Sequence, residues 1–302
     1  MRQVRTDPTV PVERLVDVEI ARRDGRSLLL DAVFPAGRLH GEPVGPRPAV
    51  LYVEGSGWSS GRRSSDAWLG PYLATHGFFA ASADYRPSGE APFPAQIQDV
   101  KTAIRWLRAN AGSYGIDPDR IGIWGDSAGA HLAALAGVTG DSGDPDLEGG
   151  FAPWRVSSRV QAVVWAAGVS DFQRQRQGMR RDPDVLVGLF GGPLSERDAL
   201  LRLASPLTHV RPTVAATKDA PFPPPPPPFL LLHGTRDETT PFEQAALLHG
   251  ALRAAGGASE LVPLLGRFHN GTGLAANSVE RWRWWDMAPM ALPFFVKHLR
   301  RH

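Results

Sequence analysis

Five short runs of nearly unbroken apolar residues constrain this chain more than any other feature. They read "AVLYVE" (Ala49–Glu54), "FFAASADY" (Phe78–Tyr85), "RIGIWG" (Arg120–Gly125), "VQAVVWAAG" (Val160–Gly168) and "PFLLLHG" (Pro228–Gly234). A strand with one wet face alternates apolar and polar residues. A run without alternation fits a strand buried on both faces. "SELVPLL" (Ser259–Leu265) reads as a further strand, and Val16–Phe34 as a hairpin turning at Arg23-Asp24-Gly25. Between the second and third runs, "AQIQDVKTAIRWLRAN" carries Ile97, Val100, Ile104 and Leu107 at helical spacing. Other helical patterns fill the remaining gaps, ending in "MALPFFVKHLR". Strand and helix in steady alternation predict an α/β protein: a mostly parallel sheet with helices on both faces.

Composition narrows the class. The chain has 302 residues, 42% hydrophobic and 21% charged, which suits one large α/β domain spanning 1–302. A net charge of +2, with basic residues scattered in pairs, gives no nucleic-acid-binding stripe. There is no cysteine, so disulfides, thiolate chemistry and cysteine-based zinc sites are excluded. The N-terminal residues lack the apolar run of a signal peptide, and no segment approaches the roughly 20 apolar residues of a membrane span. The expected location is the cytoplasm, without membrane or nucleic-acid partners; a homodimer is allowed as an assembly. Two segments interrupt the rhythm. Residues 170–218 contain no clear strand and predict an excursion, or cap, above the sheet. Pro223–Pro228 are six consecutive prolines, expected as an extended, stiff spacer.

The chemistry begins at "IGIWGDSAGAHLAALAG". Gly125-Asp126-Ser127-Ala128-Gly129 fits G-x-S-x-G between a strand and a helix, the context a nucleophile elbow requires. The turn at such a serine is tight, so its neighbours two positions away must be nearly free of side chain. A serine hydroxyl needs a base, and the base an orienting carboxylate. Asp237 follows the strand in "FLLLHGTRDETTPFEQA", and His269 follows the last strand in "ELVPLLGRFHNG". Both occupy strand C-terminal ends, where open α/β sheets place their sites, in the chain order Ser, Asp, His. Asp171 and Glu238 are the alternative acids. His131, His233, His249 and His298 read as packed or surface histidines.

With these stretches and "ADYRPSGEAPFPAQIQDVKTAIRWLRAN", the chain resembles the α/β-hydrolases of the carboxylesterase group, which includes hormone-sensitive-lipase-like and acetyl, xylan-acetyl and feruloyl esterase-like enzymes. The resemblance implies the α/β-hydrolase fold. It also gives a role to "LYVEGSGWSSG". The family's strand before the oxyanion loop ends in a His-Gly-Gly-Gly-like motif with a tryptophan, matched here by Glu54-Gly55-Ser56-Gly57-Trp58. The backbone N–H groups of Gly55, Ser56 and Ala128 are accordingly expected to form the oxyanion hole. Trp58 is expected as an apolar wall for substrate. Glu54 departs from the family's histidine, and its carboxylate must turn away from the oxyanion and hold the loop. Asp84, Arg86 and Asp99 match family positions as scaffold residues.

The expected function is hydrolysis of a small-molecule carboxylic ester, short in its acyl group, by Ser127, His269 and Asp237. No metal and no cofactor is implied. An amidase or formamidase on the same fold, and a non-catalytic ligand-binding module, are the competing readings.

Overall fold

A computed structural model describes residues 7, 9–39, 42–43, 45–63, 69–150, 154–177, 183–211, 225–269 and 287–300. Its centre is an eight-stranded sheet. The strands are β1 (Val12–Arg23), β2 (Arg26–Pro35), β3 (Arg47–Val53), β4 (Phe79–Ala83), β5 (Ile116–Asp126), β6 (Ala162–Ala166), β7 (Phe229–Gly234) and β8 (Ser259–Leu264). They lie in the order β1-β2-β4-β3-β5-β6-β7-β8. From β4 to β8 every neighbouring pair is parallel. Within this sheet the pairs β1–β2 and β2–β4 are antiparallel.

The unbroken apolar runs follow from the packing. Successive residues of a strand point to opposite faces, and both faces here are covered. Leu51, Ile123, Val163 and Leu231 join one core with helices α2 (Ala95–Ala109) and α3 (Ala128–Thr139). Their neighbours Val50, Trp124, Val164 and Leu230 join a second core with α1 (Leu69–Thr75) and the C-terminal α9 (Ala288–Leu299). Each fully buried side chain of this size contributes about 1.5–3 kcal/mol. A polar residue at any of these positions would therefore be opposed from either side.

Between β6 and β7 the chain forms α4 (Phe172–Gln177), α5 (Asp184–Phe190), α6 (Asp198–Ala204) and α7 (Pro206–His209), with no strand among the described residues. The end of the expected excursion, 212–218, lies outside the described residues, as do Pro223 and Pro224. Pro225–Pro228 are irregular and run directly into β7, where Pro228 O accepts the Val163 N–H at 2.9 Å. Helix α8 (Glu243–Ala254) connects β7 to β8.

One ionic cluster lies inside the fold. Glu148, 1% exposed, receives Lys101 Nζ at 2.7 Å on Oε1 and the Arg105 guanidinium on Oε2. It ties α2 to the turn at 145–148. Among the described residues no helix is long and apolar enough to cross a membrane.

Candidate active site

Ser127 stands where β5 turns into α3, at φ 49° and ψ −117°. Holding a non-glycine residue there costs on the order of 1–3 kcal/mol. The glycines make the turn feasible: a Cβ on Gly125 would sit 2.2 Å from Gly129 O, and one on Gly129 would sit 2.0 Å from Val53 O. The Ser127 N–H donates to Ala166 O at 2.8 Å, and His131 N–H returns to Ser127 O at 3.1 Å. The first N–H groups of α3, beginning with Ala128, have no carbonyl within the helix to meet them.

Asp237 and His269 leave the C-terminal ends of β7 and β8 and converge on this serine. Ser127 Oγ lies 2.8 Å from His269 Nε2. On the other edge of the ring, His269 Nδ1 lies 2.8 Å from Asp237 Oδ2. A carboxylate accepts only, so Nδ1 carries the proton and Nε2 presents its lone pair to the hydroxyl. Asp237 is 7% exposed. Burial alone would raise its carboxyl. The N–H groups of His233 and His269, the charge available on His269 and the Thr240 N–H more than offset that, holding it well below the usual carboxylate range. Its Oδ1 accepts the N–H groups of Thr239 at 2.9 Å and Thr240 at 2.8 Å. One of the two alternative acids is committed elsewhere: Asp171 Oδ1 accepts from Gln173 and Arg174 N–H and caps α4.

The loop after β3 lies against the elbow. A Cβ on Gly55 would be 3.1 Å from Ser127 Cβ and 2.5 Å from Asp126 Oδ2, so the backbone of this loop reaches the serine only because Gly55 has no side chain. Ser56, Gly57 and Trp58 follow with φ of 63°, 60° and 57°. Two of these are not glycine, and the left-handed conformation costs about 1–2 kcal/mol at each. Several contacts hold them. The Tyr85 hydroxyl donates to Gly55 O at 2.9 Å and Glu54 O at 3.1 Å. Ser88 N–H donates to Trp58 O at 2.8 Å. Glu54 Oε2 accepts the Arg62 N–H at 2.8 Å, the loop-holding role expected for it. The next residue, Arg63, bonds Asp84 through its N–H at 3.1 Å and its guanidinium at 2.9 Å. Arg86 pairs with the buried Asp99 at 2.8 Å.

Trp58, expected to wall a substrate, is 5% exposed, and its indole packs on Phe172 and His131. Its Nε1–H donates to His131 Nδ1 at 3.1 Å, and His131 Nε2 donates to Ala204 O at 2.7 Å. Trp58 is therefore a pillar joining the loop after β3 to α3 and to the end of α6. His131 is fully buried, as expected of a packed histidine, and burial lowers its imidazole pKa to about 4.

Sequence reading missed Thr240. Its hydroxyl lies 3.0 Å from Asp237 Oδ2, 3.0 Å from Ala167 O and 3.1 Å from His269 Nδ1. "TRDETTPF" marks a turn but does not reveal which threonine folds back over the acid. No group of three or more His, Cys, Asp or Glu among the described residues could hold a metal ion.

Comparisons with known proteins find similarity to esterases. Esterase LipQ of Mycobacterium tuberculosis is 33% identical over 231 residues, 76% of this chain and 51% of its own. Esterase LipC of the same organism is 36% identical over 215 residues, 70% of this chain and 50% of its own. The chain spans about half the length of the curated relatives it matches. A thermophilic esterase of the planctomycete Thermogutta terrifontis superposes with a TM-score of 0.72 at 28% identity in its propionate-bound form, covering 100% of this chain and 98% of that one. The same enzyme has also been solved phosphonylated by sarin. The fold is that of the α/β-hydrolases, as the resemblance implied. The BD-FAE family profile matches residues 39–252. The chain belongs to the BD-FAE family, a carboxylesterase-like group of α/β-hydrolases.

Proposed function

We propose that the chain is a serine hydrolase of short-acyl carboxylic esters, working through an acyl-enzyme. The observation that carries this reading is the continuous line from Ser127 Oγ through the His269 ring to Asp237 Oδ2, with a 2.8 Å contact on each side of the ring. The esterase names of the relatives, and the propionate-bound and phosphonylated forms of the structural neighbour, support it.

In this reading Ser127 Oγ attacks the ester carbonyl while His269 Nε2 takes its proton. The negative charge moves to the former carbonyl oxygen, met by the N–H groups of Gly55, Ser56 and Ala128. The C–O bond to the alcohol then breaks, and His269 returns the proton to the leaving oxygen. Water repeats the sequence on the acyl-Ser127 ester and releases the acid. Asp237 holds the Nδ1–H tautomer and steadies the imidazolium throughout. Nothing in these steps draws on a cofactor.

Kinetics on p-nitrophenyl esters of two to twelve carbons, with the matching anilides, test the reading. The expected result is greatest kcat/KM on the two- to four-carbon esters and little turnover of anilides. Faster anilides would make the chain an amidase. A best substrate of long acyl chain, with activity rising at an oil interface, would contradict the short-acyl assignment.

A further inference from the structure

His233 has no part in the steps just described, yet it touches the acid that drives them. It sits in β7, fully buried, with its ring between Trp165 (centroids 5.4 Å apart) and Phe242 (5.8 Å). Its Nε2 lies 2.7 Å from Thr240 O and 3.2 Å from Asp237 Oδ2. Both are acceptors, so Nε2 carries the proton. Nδ1 is buried without a hydrogen-bond partner among the described residues. A bare nitrogen in such a place is unfavourable, and phenylalanine would fill the same space without it. The N–H on the opposite edge is what offsets that cost.

We propose that His233 is a positioning residue: its Nε2–H bridges the Thr240 carbonyl and Asp237 Oδ2, and so aims the carboxylate at His269. The inference rests on the triad assigned above. The reason lies in where each contact originates. The N–H groups of Thr239 and Thr240 on Oδ1 belong to the same loop as Asp237, so they fix the carboxylate relative to the loop only. The loop is tied to its surroundings by backbone bonds, Thr235 N–H to Leu264 O at 3.1 Å and Arg236 N–H to Arg267 O at 2.9 Å, and by Gln175 Nε2 to Thr239 O at 2.8 Å. Beside the acid itself, two side-chain contacts reach toward the sheet. One is Thr240 Oγ1 to Ala167 O, just past β6; the other is His233 Nε2, from β7. Among the described residues, the titratable groups facing Asp237 are His233 and His269. His233 therefore carries the rigidity of a central strand into the acid loop.

Three substitutions separate aim from packing. Glutamine can place an amide N–H near the position of Nε2, asparagine is too short, and phenylalanine keeps the ring without the N–H. On p-nitrophenyl acetate, His233→Gln should stay within about threefold of the wild-type kcat, since the hydrogen bond is retained. His233→Asn and His233→Phe should lose roughly ten- to a hundredfold in kcat, the scale of an ångström of misplacement, with KM changed less than about twofold. Equal kcat in the glutamine and phenylalanine variants would overturn the proposal. A measurement on the unaltered protein removes dependence on variant folding. Histidine-ring 1H–15N correlation spectra at neutral pH should show His233 protonated at Nε2, and an Nδ1–H tautomer would overturn the inference. Failure of the underlying triad looks different: a fluorophosphonate would then leave Ser127 of the wild type unlabelled, whatever the state of His233.

Discussion

At Glu54 a single carboxylate decides whether its loop helps or hinders an oxyanion. Facing the developing charge from 5 Å, at an effective dielectric near 20, it would oppose catalysis by about 3 kcal/mol, or roughly a hundredfold in rate. It is held instead by the Arg62 N–H at 2.8 Å. Glu54→Gln keeps an acceptor there and should cost little. Glu54→Ala releases the loop and should lower kcat about tenfold with KM nearly unchanged, because the hole acts in the transition state. Steady-state kinetics check this, and an alanine variant faster than wild type would mean that the carboxylate opposes the reaction. The acid is tested in the same way. Asp237→Asn should reduce kcat by roughly three to four orders of magnitude through the wrong tautomer of His269, while Asp171→Asn, whose side chain caps the start of α4, should retain most activity. Ser127, Asp237 and His269 were legible because elbow sterics and strand-end position leave local marks. Thr240 and His233 were not. They act through side-chain contacts on a loop whose path no local pattern encodes, and a buried histidine in an apolar strand looks like packing.

Elements were readable where burial writes a period into the chain. The central strands β3 to β7 were visible because two covered faces exclude polar residues, β1 and β2 from the turn between them, and α2 from its apolar stripe. The packing of the loop after β3 was not readable, and Trp58 shows why. A tryptophan beside a reactive serine suggests a substrate wall, but the donor on its ring sends it inward to His131, which lies far away in sequence. Trp58→Phe keeps the apolar bulk and removes that donor, leaving His131 Nδ1 buried and unmet at a cost of about 1–3 kcal/mol. The expected outcome is a lower melting temperature together with a fall in kcat greater than any rise in KM. An increase in KM alone would return Trp58 to the substrate wall.

The molecule as a whole carries an acid sensitivity set by its buried groups. The His131 pKa is near 4 in the fold and near 6.5 in the unfolded chain, so between those values the unfolded state binds more protons. Stability should therefore decline as pH falls from 6.5 to 4, by about 3 kcal/mol in total from this group, and no further from it below. Asp237 acts lower down: its depressed carboxyl stabilises the fold fully above the unfolded value near 3.9, and that contribution is lost as pH falls beneath it. Urea denaturation at pH 7, 5 and 4 should show the upper decline in the wild type and a flatter curve in His131→Gln. Glu148 is a second lever. Glu148→Gln leaves the buried Lys101 and Arg105 without their anion and should cost about 3–5 kcal/mol at neutral pH. This cluster was invisible in sequence, since Lys101 and Arg105 look like the wet face of an amphipathic helix until the turn at 145–148 covers them.

All of these expectations depend on Ser127 being the nucleophile, and covalent capture asks that directly. The wild-type protein, treated with a fluorophosphonate and digested, should yield one adduct, on the peptide containing Ser127, with loss of ester turnover in step with labelling. Ser127→Ala should give no adduct and at least about a thousandfold lower turnover. An adduct on another residue, or persistent labelling and turnover in Ser127→Ala, would contradict the account.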